Sequence, residues 1–342
     1  PPRSTLFPYT TLFRSGVYAD YHAGRIEDCL IRNNRAVDST SQGGGLYLTM
    51  CHSTLARNVI EGNTTPGEGG GLTAAGDGNS TVTLQRNLIT RNVAGWAGGG
   101  ISLVTPTLSD GDQIIGNRCT QSGGDGGGVR SRECYAQFVN SVIVDNTCRD
   151  QGPGCYAFGA RVELLHATFA RNTGGNGAGL EAQNAYGRSW ADVTCVNAII
   201  TSQPVGVFVD TGCTATLEAT LWGAGEWACG QDYGGGGDLT TGTLNFWGNP
   251  AFVNPDMGDY HISATSPAVN QGVDAGVYWD MDGALRPWQG GYDLGADEVS
   301  NSPDILNHLL GRTVLSGPEL EAADANADGR VDIGDLLAPR NE

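Results

Sequence analysis

The chain contains no lysine. All 19 basic side chains are arginine, set against 37 acids, for a formal net charge of −18 over 342 residues. Phosphate binding requires a basic surface, so this composition argues against a nucleic-acid partner. No apolar run approaches the roughly 18 residues of a membrane span. Cys-x-x-Cys pairs are absent, which disfavours a zinc motif. The five histidines, His22, His52, His166, His261 and His308, share no ligand spacing, and His52 and His166 are expected at the surface. No nucleophile elbow is present, and the glycine triplets lack the Lys-Ser/Thr sequel of a phosphate loop. Helical repeats are excluded as well, because they need glycine-free stretches of ten or more residues with helical spacing.

Glycine, by contrast, is abundant, at 53 residues, and it is periodic. Triplets of glycine followed by an aliphatic residue begin at Gly43, Gly69, Gly98 and Gly126, in steps of 26, 29 and 28 residues. A second marker, an aliphatic or aromatic residue three positions before asparagine, shares that period. It reads Ile31/Asn34, Ile60/Asn63, Ile89/Asn92, Ile114/Asn117, Ile143/Asn146 and Phe169/Asn172, and fades at Ile199/Ser202. Two markers with one period indicate a solenoid. Runs such as Leu46-Tyr47-Leu48 and Thr81-Val82-Thr83-Leu84 alternate as strands do. The expected fold is all-β, a right-handed parallel β-helix of about nine coils over residues 16–250, roughly 40 Å long at the interstrand spacing. Ile31 through Ile199 should stack inside, and Asn34 through Asn172 should form a ladder at a turn. Late in the chain, Phe246 takes the interior place three before Asn249 in a last coil. The ladder asparagines could instead line a sugar groove, but their support of the coils already accounts for them.

Residues 1–15 stand apart. PPRSTLFPYTTLFRS reads, codon for codon, as the translation of a common short-read sequencing adapter, and is expected to be an assembly artefact. Without Arg3 and Arg14 the charge becomes 17 − 37 = −20. Any signal peptide would lie before Gly16, so its absence here says nothing about location. Nine cysteines are many for a cytosolic protein and favour an oxidising compartment. Cys119 and Cys148 each follow a ladder asparagine by two residues and should stack within disulfide reach. Cys148 and Cys155 could instead close a local loop.

After the last coil, PAFVNPDMGDYHISATSPAVNQGVDAG and DMDGALRPWQGGYDLGADE resemble the closing segment of bacterial pectin-lyase-like β-helix proteins of the choice-of-anchor Q class. The glycine-triplet coils also resemble repeats of polymorphic outer-membrane proteins. The likeness covers most of residues 16–298, and residues 251–298 are expected to cap the open end of the sheets. Trp222, Trp227, Trp247, Trp279 and Trp288 suit such a cap better than sugar stacking. Residues 299–342 are expected to form a small helical module. Asp324, Asn326, Asp328, Asp332 and Asp335, with Gly329 sixth and Arg330 seventh, match an EF-hand calcium loop. The aspartate at the twelfth place resembles dockerin type I repeats. Only one such loop is intact, where dockerins carry two, so docking to a cohesin-like protein is the weaker part of that likeness.

Two functions follow. One is a secreted or cell-surface protein of a bacterium that binds glycans or proteins, with a calcium-dependent docking tail. The other is a polysaccharide lyase or glycoside hydrolase of the pectin-lyase-like superfamily. Asp145, Asp150 and Arg161, with Glu133 and His166, fall in three neighbouring coils and are the candidates for catalysis, although no pectate-lyase calcium signature or paired-aspartate motif is present. Three stacked carboxylates with an arginine in one groove would favour the enzyme.

Overall fold

The computed structural model describes residues 15–38, 41–187, 189–288, 290–299 and 330–331. Within them the chain is a parallel β-solenoid of about nine coils, each contributing up to three short strands to three stacks. The first stack runs from Val17–Asp20 to Gln231–Gly235 through strands that follow the glycine turns, such as Leu72–Ala75 and Val129–Arg132. The second includes His52–Ala56 and Arg161–Leu165, and the third includes Leu88–Thr90 and Thr168–Ala170. The second and third strands of a coil fuse in Asp192–Thr201 and again in Thr214–Gly223. A two-residue strand after the third stack, as in Val93–Ala94, completes several coils.

Interior aliphatics dictate this register. Ile31, Ile60, Ile89, Ile114, Ile143 and Phe169 stack in one column, and all are buried. Each such side chain removed from water contributes about 1.5–3 kcal/mol. The column continues to Ile200, not Ile199, because Phe169 pairs with Ile200. It then passes to Trp222 and Trp247. Phe246 therefore pairs with Leu221 and turns to the flank instead of the interior.

The asparagine ladder forms at the turn after the third stack. Asn92 Nδ2 donates to Asn117 Oδ1 and to the Ile60 carbonyl, at 3.0 and 2.8 Å, and the pattern repeats coil by coil. Asn172 ends it on Gln203 Oε1 at 2.9 Å, so Gln203 stands where Ser202 was expected. The two sequence markers turn out to be one device. A Cβ on Gly100 would lie 2.7 Å from the Gly128 carbonyl and 3.0 Å from Asn117 Nδ2. The third glycine of each triplet thus admits the ladder amide. A second, shorter ladder was not foreseen: Asn58 donates to Asn87, and Asn87 to Asp112, at 2.8–2.9 Å between side chains. Burial pushes the Asp112 carboxyl up to about 7.

Residues 251–299 do not sit on the open end. They fold back along the flank of the third stack, where Tyr260, Met281 and Ala296 pack on Val142, Val144 and Ala170. Ile262, Ala268 and Leu294 pack on Ile199 and Leu221. Among the described residues nothing covers the last coil, where Tyr233 and Trp247 are about 60% exposed. Of the other tryptophans, Trp222 is buried in the core, Trp227 packs edge-on against Phe252, and Trp279 is exposed. All nine cysteines are free thiols. Cys119 and Cys148 do stack, with Ala94, but Cys155 lies in the main core, away from Cys148. The helical module and its calcium loop lie outside the described residues, apart from Arg330 and Val331. No helix among the described residues is long and apolar enough to cross a membrane.

Candidate functional site

Side chains alternate across a strand, so the residue after each interior aliphatic of the first stack points outward. In register these are Thr73, Ser102, Arg130, Tyr156 and Glu181. The residue before each glycine triplet stacks beside them, giving Glu68, Ala97 and Asp125 in successive coils. Of these, Glu68, Ala97, Asp125, Arg130 and Tyr156 floor a groove of about 460 Å³ walled by Trp96, Arg132, Phe158, Gln183, Asn184 and Tyr186, with Ser102 and Glu181 beside it.

The floor is charged and largely dry. Arg130 Nη1 lies 3.1 Å from Glu68 Oε1, with both side chains mostly buried. Ser102 Oγ donates to the other Glu68 oxygen at 2.9 Å. The Arg130 guanidinium also stands 5.5 Å from the Phe158 ring centre, within cation–π reach. Tyr156 stacks on Phe158, which meets Tyr186 edge to face. Trp96 and Tyr186 are 55% and 76% exposed, so the aromatic rims face solvent.

Burial lifts two carboxyls here above the usual carboxylate range. Burial and the neighbouring Asp150 raise Asp125 to about 6, against the pull of Arg130. Burial, aided by Asp125 and Asp210, raises Glu181 to about 7. Arg130 Nε and Glu181 Oε1 are buried without a hydrogen-bond partner among the described residues. Orphaned polar atoms of this kind call for a reason, and a polar ligand in the groove would supply one for the arginine.

The candidates singled out from the sequence scatter. Asp145 sits on the far flank, 2.9 Å from Arg171 and 2.7 Å from the Tyr260 hydroxyl, and fastens residues 251–299. Arg161 pairs with Glu163 on the second stack. Asp150, alone of the three, lies beside the groove, where it acts on Asp125. Glu133 is an exposed turn residue at φ +48°. His166 is not at the surface: it is buried, accepts from Asn197 Nδ2 at 3.0 Å, and is pushed down to about 2 by burial. The ladder asparagines from Asn63 to Asn172 are fully buried and line no groove. Glu68, Asp125 and Arg130 lie outside the sequence candidates, because no short motif marks them. Their signal was positional: Glu68 and Asp125 each stand directly before a glycine triplet.

Comparison with protein-family models, with curated proteins and with solved structures finds no match for this chain. Fold and groove alone therefore define its class, a parallel β-solenoid with one aromatic-rimmed, charged groove described on its first stack.

Proposed function

We propose that the chain is an extracellular or cell-surface β-helix protein that binds a polysaccharide along the first stack. The observation that carries this reading is the pairing of exposed Trp96 and Tyr186 with the Glu68–Arg130 pair in one groove. Aromatic faces stack on sugar rings, while a few fixed polar groups select hydroxyls or carboxylates. Arg130 and Arg132, set in a strongly acidic surface, favour an acidic sugar. The likeness of residues 252–298 to choice-of-anchor Q proteins is in keeping with a surface location. The tail adds a calcium loop of dockerin type at Asp324–Asp335, which would dock the rod to a cohesin-like partner.

A second reading is supported by the raised Asp125 carboxyl. A carboxyl raised to about 6 beside a second carboxyl, Asp150, offers the two groups that glycoside hydrolysis uses: one protonates the leaving oxygen and the other activates water.

The test uses the full chain with calcium on a panel of pectins, alginate and neutral polysaccharides, with retention and product masses read together. Binding predicts retention that falls at least tenfold in Trp96→Ala and Arg130→Ala. Saturated products abolished by Asp125→Asn would establish a hydrolase, and unsaturated ones a lyase. Neither retention nor products from any polysaccharide would sink both readings. In parallel, Asp328→Ala should weaken calcium binding by at least tenfold, and an unchanged isotherm would refute the tail assignment.

A further inference from the structure

A different cluster lies on the opposite flank, within residues 251–299. His261 Nε2, one oxygen of Asp282 and one of Asp297 lie within 4.8 Å of one another. They come from three separate stretches: the strand Asp259–Ile262, the turn after Asp280, and the approach to Glu298. Asp259 Oδ1 sits 2.5 Å from His261 Nδ1 and holds the ring. Nε2–H in turn donates to Asp282 Oδ2 at 2.6 Å, so a metal ion would take the place of that proton between the two ligands. Carboxylate, imidazole and further ligands in series are the arrangement by which proteins orient a metal-binding histidine.

We propose that His261, Asp282 and Asp297 bind a divalent transition-metal ion of the zinc or manganese class, which ties the three stretches together. Tetrahedral ligands at about 2.1 Å from zinc stand roughly 3.4 Å apart, so His261 Nε2 and Asp282 Oδ2, 2.6 Å apart, would open slightly to admit the ion. Imidazole nitrogen with two carboxylates suits zinc or manganese better than calcium, which takes oxygen ligands alone. Charge points the same way. Asp259, Asp282 and Asp297 bring three carboxylates against one imidazole, and Asp297 is buried with its Oδ2 accepting only the Ile262 amide, at 2.8 Å. Asp282 and His261 are partly open to solvent. A cavity of about 220 Å³ beside His261, bounded by Met257, Tyr260 and Met281, leaves room for a water as fourth ligand.

The experiment titrates zinc and manganese into the full chain with saturating calcium present, so that the tail loop is occupied. Expected is one ion per chain at micromolar affinity or better, a rise in Tm, and at least tenfold weaker binding in Asp282→Asn and His261→Gln. Asp259→Asn, acting through the imidazole, should weaken binding about tenfold. Should the variants fail to fold, cobalt in the wild-type chain supplies the second reading. A visible d–d band without a thiolate charge-transfer band supports the site, and a thiolate band would move the ion to a cysteine and overturn it. No binding at millimolar zinc, or binding equal in wild type and folded Asp282→Asn, would reduce the cluster to an ion pair.

Discussion

At the scale of single residues, the ladder asparagines do more than any apolar side chain to fix one coil upon the next. Asn117 Oδ1 accepts both the Asn92 amide and Asn92 Nδ2 at 3.0 Å, while its own Nδ2 donates to the Ile89 carbonyl at 2.8 Å. Asn117→Ala leaves buried donors and an acceptor without these partners. At about 1–3 kcal/mol for an unsatisfied group, it should cost about 3 kcal/mol in urea denaturation. Asn34→Ala, at the half-buried start of the ladder, should cost about 1 kcal/mol or less. Equal losses would show that the ladder is not cooperative support. These residues were legible because their role is local and repeated. Ile200 and Gln203 were not: they keep the three-residue spacing and the register of Phe169 and Asn172, but glutamine stands where the earlier coils have asparagine, so the marker is not repeated.

Among the elements, residues 251–299 are held by polar staples more than by a broad apolar face. Asn197 exchanges two hydrogen bonds with the Val273 backbone, at 2.7 and 2.8 Å. Arg171 reaches Asp256, Tyr260 and the Pro255 carbonyl. Inside the segment, Arg286 and Glu298 form an ion pair at 2.8 Å with both side chains fully buried. Glu298 also accepts the Trp288 and Asp293 amides. Truncating one member of a buried pair strands the other charge, at about 3–5 kcal/mol. Glu298→Ala should therefore release this segment to limited proteolysis while the coils keep their far-UV circular dichroism. Arg286→Met with Glu298→Leu should be less damaging than the sum of the single changes. The sequence marked this stretch as a closing unit, yet its seat on the flank instead of the end depends on partners more than 70 residues away, which periodicity does not encode.

For the molecule as a whole, acidity and burial combine into a pH response. Burial raises Asp112, Glu181 and Glu298 to about 7 and Asp125 to about 6. Between pH 4 and 7 the folded chain thus binds more protons at these sites than the unfolded chain, so stability falls as pH rises through that window. His166, held near 2, works in the opposite sense below about 6.5, as do Asp28 and Asp77, held low in the acid range, while Asp297, raised to about 7, and His261, raised to about 10, add to the fall. The Tm should be at least about 5 °C lower at pH 8 than at pH 5, and a flat or rising profile would contradict the burial of these acids. The groove, too, is a property of the whole stack. Its parts come from coils that the repeat brings into line, so no single stretch of sequence contains them. That alignment has a last consequence. Because each turn presents the same amide donors and acceptors to the next, the rod has no preferred length, and coils could be gained or lost at its open end by duplication or deletion of a short stretch of gene. The groove occupies only its own few coils, so reach and recognition are free to evolve separately.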